Sequence, residues 1–478
     1  MTDCPRHEQY LSPFSARYSS PEMSHLFSAR AKAILFRKLW ISLAKAQKKL
    51  GLSISGKQIE EMEDSVEKID FDILQSYEKK FRHDVMAHIH AFGDLCKSAK
   101  PIIHLGATSC YATDNADLIQ LKEALTLSFQ KLLHVIDKLA HLAEKHADHP
   151  CLSYTHFQPA QPTTIGKRIC LWLQDFLIDA HEWHRLIEQM PFLGTKGATG
   201  TQGSFLALFE GDHEKVEKME QEIARDFGFT HLLPISGQTY TRKLDISVLN
   251  ALESFAASAH KAATDIRLLA HEGEFLEPFS QSQVGSSAMP YKRNPIYSER
   301  ICGLARFAIS LSQNPTYTAA TQWLERSLDD SSNRRFAIPE SFLTIDAILN
   351  LWLYILDKPD IQPEIAMRHL EQNLPILSME NILMESTKRG ASRQEIHEKL
   401  RKLAFESMKG ENPFERLIVS IEKDKDFSLS RKEIEKAADI KTLIGRAPQQ
   451  VSAFLKKDVH PFLKKNPPAN IAISRIEL

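Results

Sequence analysis

Apolar residues return every three or four positions along most of the chain, which is the spacing of one face of an α-helix. Leu35, Leu39, Leu43, Ala46 and Leu50 fall on one such face, and Gly51 follows where a helix C-cap favours glycine. Ser55-Gly56-Lys57-Gln58 has the Ser and Gln of a capping box and predicts the start of a second helix. A third is predicted to carry Arg82-His83-Asp84-Val85-Met86-Ala87-His88. The longest pattern runs from Asp114 to about Ala147. Leu118, Leu121, Leu125, Leu132, Val135, Leu139 and Leu142 keep the spacing there, and Ser128 is the one polar interruption. About 34 residues at ~1.5 Å each make a rod of roughly 50 Å. Further rods are predicted over Thr164–Met190, Leu244–Glu272 and Pro295–Gln313. Rods this long bury their stripes only in an extended bundle, and the broader stripes need partner subunits as well.

The pattern predicts an all-α chain of three helical domains with few strands, no internal repeat and no low-complexity tract. The boundaries fall near Thr108 and near Ile361, where Pro359 and Pro363 break the periodicity. This gives an N-terminal helical domain (1–108), a central long-helix bundle carrying catalytic loops (109–361) and a C-terminal helical domain (362–478). The net charge of −1 creates no overall field to draw the chain to nucleic acid or an anionic membrane. No apolar run reaches the roughly 20 residues that span a bilayer. The first twenty residues lack the apolar stretch of a signal peptide. Six cysteines (Cys4, Cys96, Cys110, Cys151, Cys170, Cys302) lie far apart with no C-x-x-C, and read as the reduced thiols of a cytoplasmic protein.

Chemistry concentrates between the rods. The segments His104–Asp114, Ser153–Thr164, Gly194–Ser204, Gly237–Lys243 and Gln281–Pro295 are rich in His, Ser, Thr, Gln, Lys, Arg and Gly. In Gly285-Ser286-Ser287-Ala288-Met289-Pro290-Tyr291-Lys292-Arg293-Asn294-Pro295, Lys292 and Arg293 bring positive charge, and Pro295 suits the first turn of the next helix. The N–H groups of that helix end are expected to face any anion entering the loop. Taken alone, the segment reads equally as a polar connector. Ser153–Thr163 sets His156 in a stiff, proline-bounded loop, and imidazole suits acid–base work near neutral pH. A structural histidine bonded to a carbonyl is the plain alternative. Gly194, Gly197, Gly200 and Gly203 permit close approach to a ligand or form a flexible turn, and they do not match a Walker A loop. Arg326, Arg334 and Arg335 in the serine-rich stretch 325–335 suit phosphate or carboxylate, or else an intrahelical ion-pair face. His181-Glu182-Trp183-His184 has no third ligand nearby, so no metal site is expected.

Together these pieces resemble the fumarase/aspartase superfamily. GSSAMPYKRNP matches its mobile-loop pattern G-S-S-x-M-P-x-K-x-N-P. SARYSSPEM, RHDVMAHIH, HLGATSCY, THFQPAQPTT, GQTYTRKLD, ERSLDDSSNRR, SRQEIHEKLR and GRAPQQV narrow the likeness to the branch that releases fumarate from succinyl-amino purine nucleotides. The likeness runs from Arg17 to Val451, and the Tyr-Lys-Arg-Asn-Pro form and long C-terminal part look closer to the animal type than to the common bacterial type.

The resemblance implies a carbon–nitrogen lyase of purine biosynthesis acting on adenylosuccinate and succinylaminoimidazole carboxamide ribotide. It implies a homotetramer around one long bundle, with active sites shared between subunits, and no metal or redox cofactor. Such an elimination needs a base, an acid and concentrated positive charge. The family pattern puts the base at Ser286, with Ser287 as the confusable neighbour. Lys292 and the helix N-terminus after Pro295 would favour its alkoxide. His156 would be the acid, oriented by Glu299. Arg17, Tyr18, Arg300, Ser331 and Arg335 would face the phosphate-bearing end. Arg82, His83, Asp84 and Gln238 would line base and ribose, with Arg326 serving either end. Thr108, Ser109, Lys292 and Asn294 would hold the succinyl group. A relative that cleaves argininosuccinate has no phosphate to use this arginine set. A crystallin-like structural recruit would not need Ser286, His156, Lys292 and Glu299, and a nucleotide-binding regulator is separated by assay.

Overall fold

The computed structural model describes residues 10–279 and 283–471, so Cys4 and the first two residues of the predicted Gln281–Pro295 loop lie outside the described residues. Five bundle helices dominate: α1 (Ser109–Lys145), α2 (Ile165–Gln189), α3 (Lys243–His271), α4 (Ile296–Leu311) and α5 (Asp329–Ile355). The rod predicted from Asp114 starts five residues earlier, since Cys110, Tyr111 and Ala112 are also buried and extend the stripe. At 37 residues α1 is about 55 Å long. The rod predicted over Pro295–Gln313 ends at Leu311, and a separate helix follows over Gln313–Thr321.

Ion pairs fix the direction of the rods. Arg242, just before α3, pairs with Asp114 of α1 at 2.8 Å and Asp330 of α5 at 2.6 Å. The starts of α1, α3 and α5 therefore meet at one end. At the other end, Lys138 of α1 reaches Asp357, just past α5, at 3.2 Å, and the rings of Tyr297 and Tyr354 lie 4.5 Å apart. Hence α2 and α4 run against the other three. The apolar stripes merge into one core with Trp172, Trp183 and Trp352 buried in it. Helix α5 is long and apolar enough by composition to cross a membrane, but 83% of its apolar window is buried inside the bundle. A second small core forms around Ile382, Ile396, Leu417, Ile418 and Phe427, while Val451, Leu455, Val459 and Phe462 pack back onto the main one.

Two local expectations change. The helix predicted through Arg82–His88 is broken: Arg82 is the left-handed C-cap of Phe71–Phe81 (φ 51°), and His83 is the N-cap of Asp84–Leu95. The stretch predicted as a loop over Ser153–Thr164 is a β-hairpin, β1 (Pro150–Thr155) paired antiparallel with β2 (Gln158–Thr164). His156 and Phe157 form its tip, both with positive φ (52° and 57°), the two-residue turn whose twist matches paired strands. Hairpin and bundle are joined by direct backbone contact. A Cβ on Gly166, at the start of α2, would lie 2.4 Å from the Ala143 carbonyl oxygen and 2.7 Å from Ala147 Cα, so only glycine lets α2 cross α1 there.

Asp179 of α2 is buried, accepts a 2.7 Å hydrogen bond from Ser254 of α3, and has no partner for its second oxygen among the described residues. Burial pushes its carboxyl up to about 6, against the opposing effect of Ser254 and Ser258. A carboxyl raised in this way favours folding when protonated. Its destabilisation is absent below the unfolded value near ~4 and complete above the folded one. Asp179→Asn is therefore expected to stabilise the protein at about pH 8 by on the order of 2–3 kcal/mol, with a smaller gain at about pH 5. Denaturant melts of both proteins at the two pH values test this. A gain that does not change with pH would refute it.

Candidate active site

One group of candidate residues gathers where α1, α3 and α5 begin. His83 Nδ1 accepts from Met86 N at 3.3 Å, and its Nε2 lies 3.4 Å from Ser109 Oγ. Thr108 and Ser109 open α1 beside it, and Arg82 and Asp84 flank it, both exposed. Gln238 ties three segments together. Its N donates to Glu325 O and its Nε2 to Ala198 O, both at 3.0 Å, and its Oε1 accepts from Cys110 Sγ at 3.4 Å. Burial, then Asp114, pushes the Cys110 thiol up to about 12, so it stays protonated. The glycine-rich run is no flexible turn. Gly200 is left-handed (φ 82°), and a Cβ there would sit 1.9 Å from Ser236 O; Lys196 is buried on Glu220 at 2.9 Å. The close backbone approach that Gly200 permits is to the protein's own chain.

Beneath this end lies a buried charge network. Arg326 Nη1 donates to both Asp330 oxygens, at 2.9 and 3.0 Å, and Asp330 also holds Arg242. Arg334 is internal, bound to Asp245 at 2.8 Å and Asp117 at 3.0 Å. Of the three arginines in this stretch, only Arg326 and Arg335 reach the surface, with Ser331 half-buried between them.

A second group sits at the opposite end, on the loop before α4. Ser286 Oγ accepts from Ala288 N at 3.3 Å and Met289 N at 3.1 Å, while Ser287 is exposed. Two donors on one hydroxyl oxygen favour its deprotonated form. Asn294 Nδ2 donates to Gly285 O at 3.0 Å and closes the loop. Gly285 is required there, since a Cβ would lie 1.9 Å from Lys292 O. Lys292 and Glu299 are exposed. Arg300 is half-buried, with Nη1 buried and unpartnered among the described residues.

Two sequence expectations fail at this loop. Arg293 turns away from it, bonding Asp360 at 3.2 Å and Glu277 O at 3.3 Å and lying over Phe279. The N–H groups at the α4 start do not face an incoming anion. Glu277 takes Tyr297 N at 3.0 Å, Ser298 N at 2.6 Å and Ser298 Oγ at 2.6 Å. Burial raises the Glu277 carboxyl, and the Ser298 bonds oppose that shift. Pro295 is the N-cap of α4 rather than its first residue.

His156, at the hairpin tip, is exposed and makes no hydrogen bond among the described residues, to Glu299 or otherwise. The hairpin rests on Pro363–Leu377 through Leu152, Leu370 and Leu377. Arg17 and Tyr18 occupy a third place, a π-helical turn over Phe14–Tyr18 on the flank of the bundle, where Phe14 stacks on Phe307 of α4 at 5.7 Å. Within one chain, then, Ser286, Lys292, Asn294, Glu299 and Arg300 share a region, and Arg82–Asp84, Thr108, Ser109, Gln238, Arg326 and Ser331 share another. The 29 residues of α3 set the two about 43 Å apart. Arg300 and Arg335, both expected at the phosphate, lie near opposite ends. His184 stacks on Phe129 and His181 packs tilted against Phe462, and no group of three potential metal ligands occurs among the described residues. Sequence reading passed over Glu277, Asp330 and Arg242; the last two stand inside segments already singled out, but their pairing is across the fold and leaves no local mark.

A family model described as "Lyase" matches residues 17–309, and one described as "Adenylosuccinate lyase C-terminus" matches 375–454. The chain is 47% identical to adenylosuccinate lyase of Saccharomyces cerevisiae over 466 residues, covering 96% of this chain and 97% of that one. It is 46% identical to adenylosuccinate lyase of Schistosoma mansoni, covering 95% and 96%. The fold is similar to solved structures of a 3-carboxy-cis,cis-muconate lactonizing enzyme from Pseudomonas putida (TM-score 0.83, 23% identity, 94% and 99% covered) and a fumarate lyase from Mesorhizobium sp. BNC1 (0.80, 21%, 94% and 100%). With a lyase model over more than half its length and full-length relatives of one name at nearly half identity, the chain belongs to the adenylosuccinate lyase family of the fumarase/aspartase superfamily.

Proposed function

We propose that this protein is a cytoplasmic adenylosuccinate lyase of purine biosynthesis. It eliminates fumarate from adenylosuccinate, leaving AMP, and likewise from succinylaminoimidazole carboxamide ribotide. The observation that carries this reading is the end-to-end similarity to adenylosuccinate lyases, joined to a loop in which Ser286 Oγ is held by two backbone N–H groups. Ser286 removes the proton beside the carboxylate as the alkoxide, which those donors and Lys292 favour. His156 protonates the departing nitrogen, and Glu299 orients it. Lys292, Asn294, Thr108 and Ser109 hold the succinyl carboxylates as charge builds on them. Arg82, His83, Asp84 and Gln238 line base and ribose. Arg17, Tyr18, Arg300, Ser331 and Arg335 receive the phosphate, for which the unpartnered Arg300 nitrogen is a ready donor. Arg326 serves either end.

The site is shared between subunits of a homotetramer. Support comes from the roughly 43 Å that α3 puts between the two groups. Further support comes from large apolar side chains left exposed on the rods: Leu171 and Ile178 on α2, Leu268 on α3 and Phe336 on α5. Purified protein with adenylosuccinate, and no added metal, is expected to yield AMP and fumarate in equal amounts, followed by absorbance. Turnover lost to a chelator and restored by a divalent ion would overturn the metal-free mechanism. Tight nucleotide binding without turnover would overturn the lyase reading.

A further inference from the structure

A charged pair is sealed inside the bundle. Lys131 of α1 and Asp346 of α5 are each almost inaccessible, their side chains 1% and 0% exposed, and they bond directly. Taking two charges out of water costs several kcal/mol per ion, and packing alone would be served as well by apolar residues. What distinguishes this pair is a third member. The backbone N–H of Ser20 donates to Asp346 Oδ2 at 2.6 Å, and Lys131 Nζ donates to Ser20 Oγ at 3.2 Å. Asn350, one turn along α5, donates to the same Oδ2 at 3.2 Å. Ser20 is fully buried, and its Oγ also caps the helix Pro21–Leu26 by accepting from Met23 N at 3.3 Å.

Ser20 ends the segment that carries Arg17 and Tyr18. The other end of that segment is clamped too: Phe14 stacks on Phe307, and Ser12 Oγ donates to Glu340 of α5 at 3.3 Å. Between the clamps the π-helical turn closes on itself, with Ser19 N and Oγ both donating to Phe14 O, at 3.0 and 2.8 Å. Arg17 itself is exposed and makes no ion pair among the described residues, so nothing at its own tip fixes it. We infer that the buried Lys131–Asp346 pair positions Arg17 and Tyr18: through Ser20 it straps their turn onto α1 and α5, holding it where the phosphate end of the substrate binds. The inference rests on the reading above that Arg17 and Tyr18 meet that phosphate. Lys131, Asp346 and Ser20 are positioning residues and touch no substrate.

Product inhibition separates this role from general support of the fold, because AMP carries the phosphate and fumarate does not. Three variants are compared in the full-length protein. Lys131→Met/Asp346→Leu removes both charges together and keeps apolar packing between the rods, a replacement that tends to preserve folding. Asp346→Asn leaves Lys131 unpaired, and Ser20→Ala removes only the hydroxyl. For the double variant, KM for adenylosuccinate and the inhibition constant of AMP are expected to rise about tenfold together, with kcat within about twofold of wild type and fumarate inhibition unchanged. Ser20→Ala shifts the same two constants in the same direction by less. If the double variant folds, and either keeps wild-type KM and AMP inhibition or loses AMP and fumarate inhibition alike, the strap is wrong. Should Asp346→Asn or the double variant fail to fold, wild-type constants in Ser20→Ala still overturn it. Arg17→Ala is the control. If it leaves AMP inhibition unchanged, the phosphate assignment falls and the strap with it; if AMP binding weakens there but not in the strap variants, only the strap falls.

Discussion

Ser286→Ala is expected to lower kcat by about 10²–10⁴-fold with little change in KM, and His156→Gln to do the same, the usual scale for a lost general base or acid. Ser287→Ala should stay close to wild type. Ser286 Oγ receives hydrogen bonds from Ala288 N and Met289 N, which stabilise an oxyanion, whereas Ser287 is exposed. The start of α4 is already occupied, since Glu277 takes the N–H groups of Tyr297 and Ser298. Charge near Ser286 must therefore come from loop amides and from Lys292. Steady-state kinetics on the three variants decide the assignment. If Ser287→Ala is the dead variant and Ser286→Ala is active, the base is the neighbouring residue.

Mixing inactive Ser286→Ala with inactive His156→Gln protein should restore activity to about a quarter of wild type under random subunit assortment, if each site takes one residue from each of two chains in a symmetric oligomer. His156 is carried on a hairpin that leans on Pro363–Leu377, makes no hydrogen bond to Glu299, and is exposed in a single chain. On the shared-site proposal, another chain completes its surroundings. The experiment requires proof of exchange, for instance two affinity tags recovered in one tetramer. Mixed tetramers as dead as their parents would put both residues on one chain and end the shared-site reading.

The rods were legible because burial writes a 3.6-residue period into sequence. The predicted limits Thr164–Met190 and Leu244–Glu272 differ from Ile165–Gln189 and Lys243–His271 by one residue at each end. The capping box at Ser55 and Gln58 formed as read, both being local to four residues. What escaped was local structure lacking its usual marker, or pairing across long separations. Arg82 turns left-handed without being glycine, so the break before His83 left no signal. The hairpin hid because its tip is His156-Phe157 rather than Asn-Gly, and because β2 contains Pro159 and Pro162, residues that argue against a strand. Glu277 caps a helix twenty residues away, and Lys131 meets Asp346 across 215 positions. Composition singled out the loops proposed to bear the chemistry, yet it could not tell that Arg334 points inward to Asp245 while Arg335 faces out.

The hairpin is, mechanically, a lever. Its fulcrum is the crossing where Gly166 lies against the backbone of Ala143 and Ala147, and its load is the imidazole of His156. Six residues of strand give an arm of about 20 Å, so a tilt of only about 3° at the fulcrum swings the tip by roughly 1 Å. Displacement of that size is enough to cost a reacting group about a hundredfold in rate. On the proposal that His156 is the acid, its placement depends on a crossing that carries no charge, where the tolerance is narrower than one methyl group.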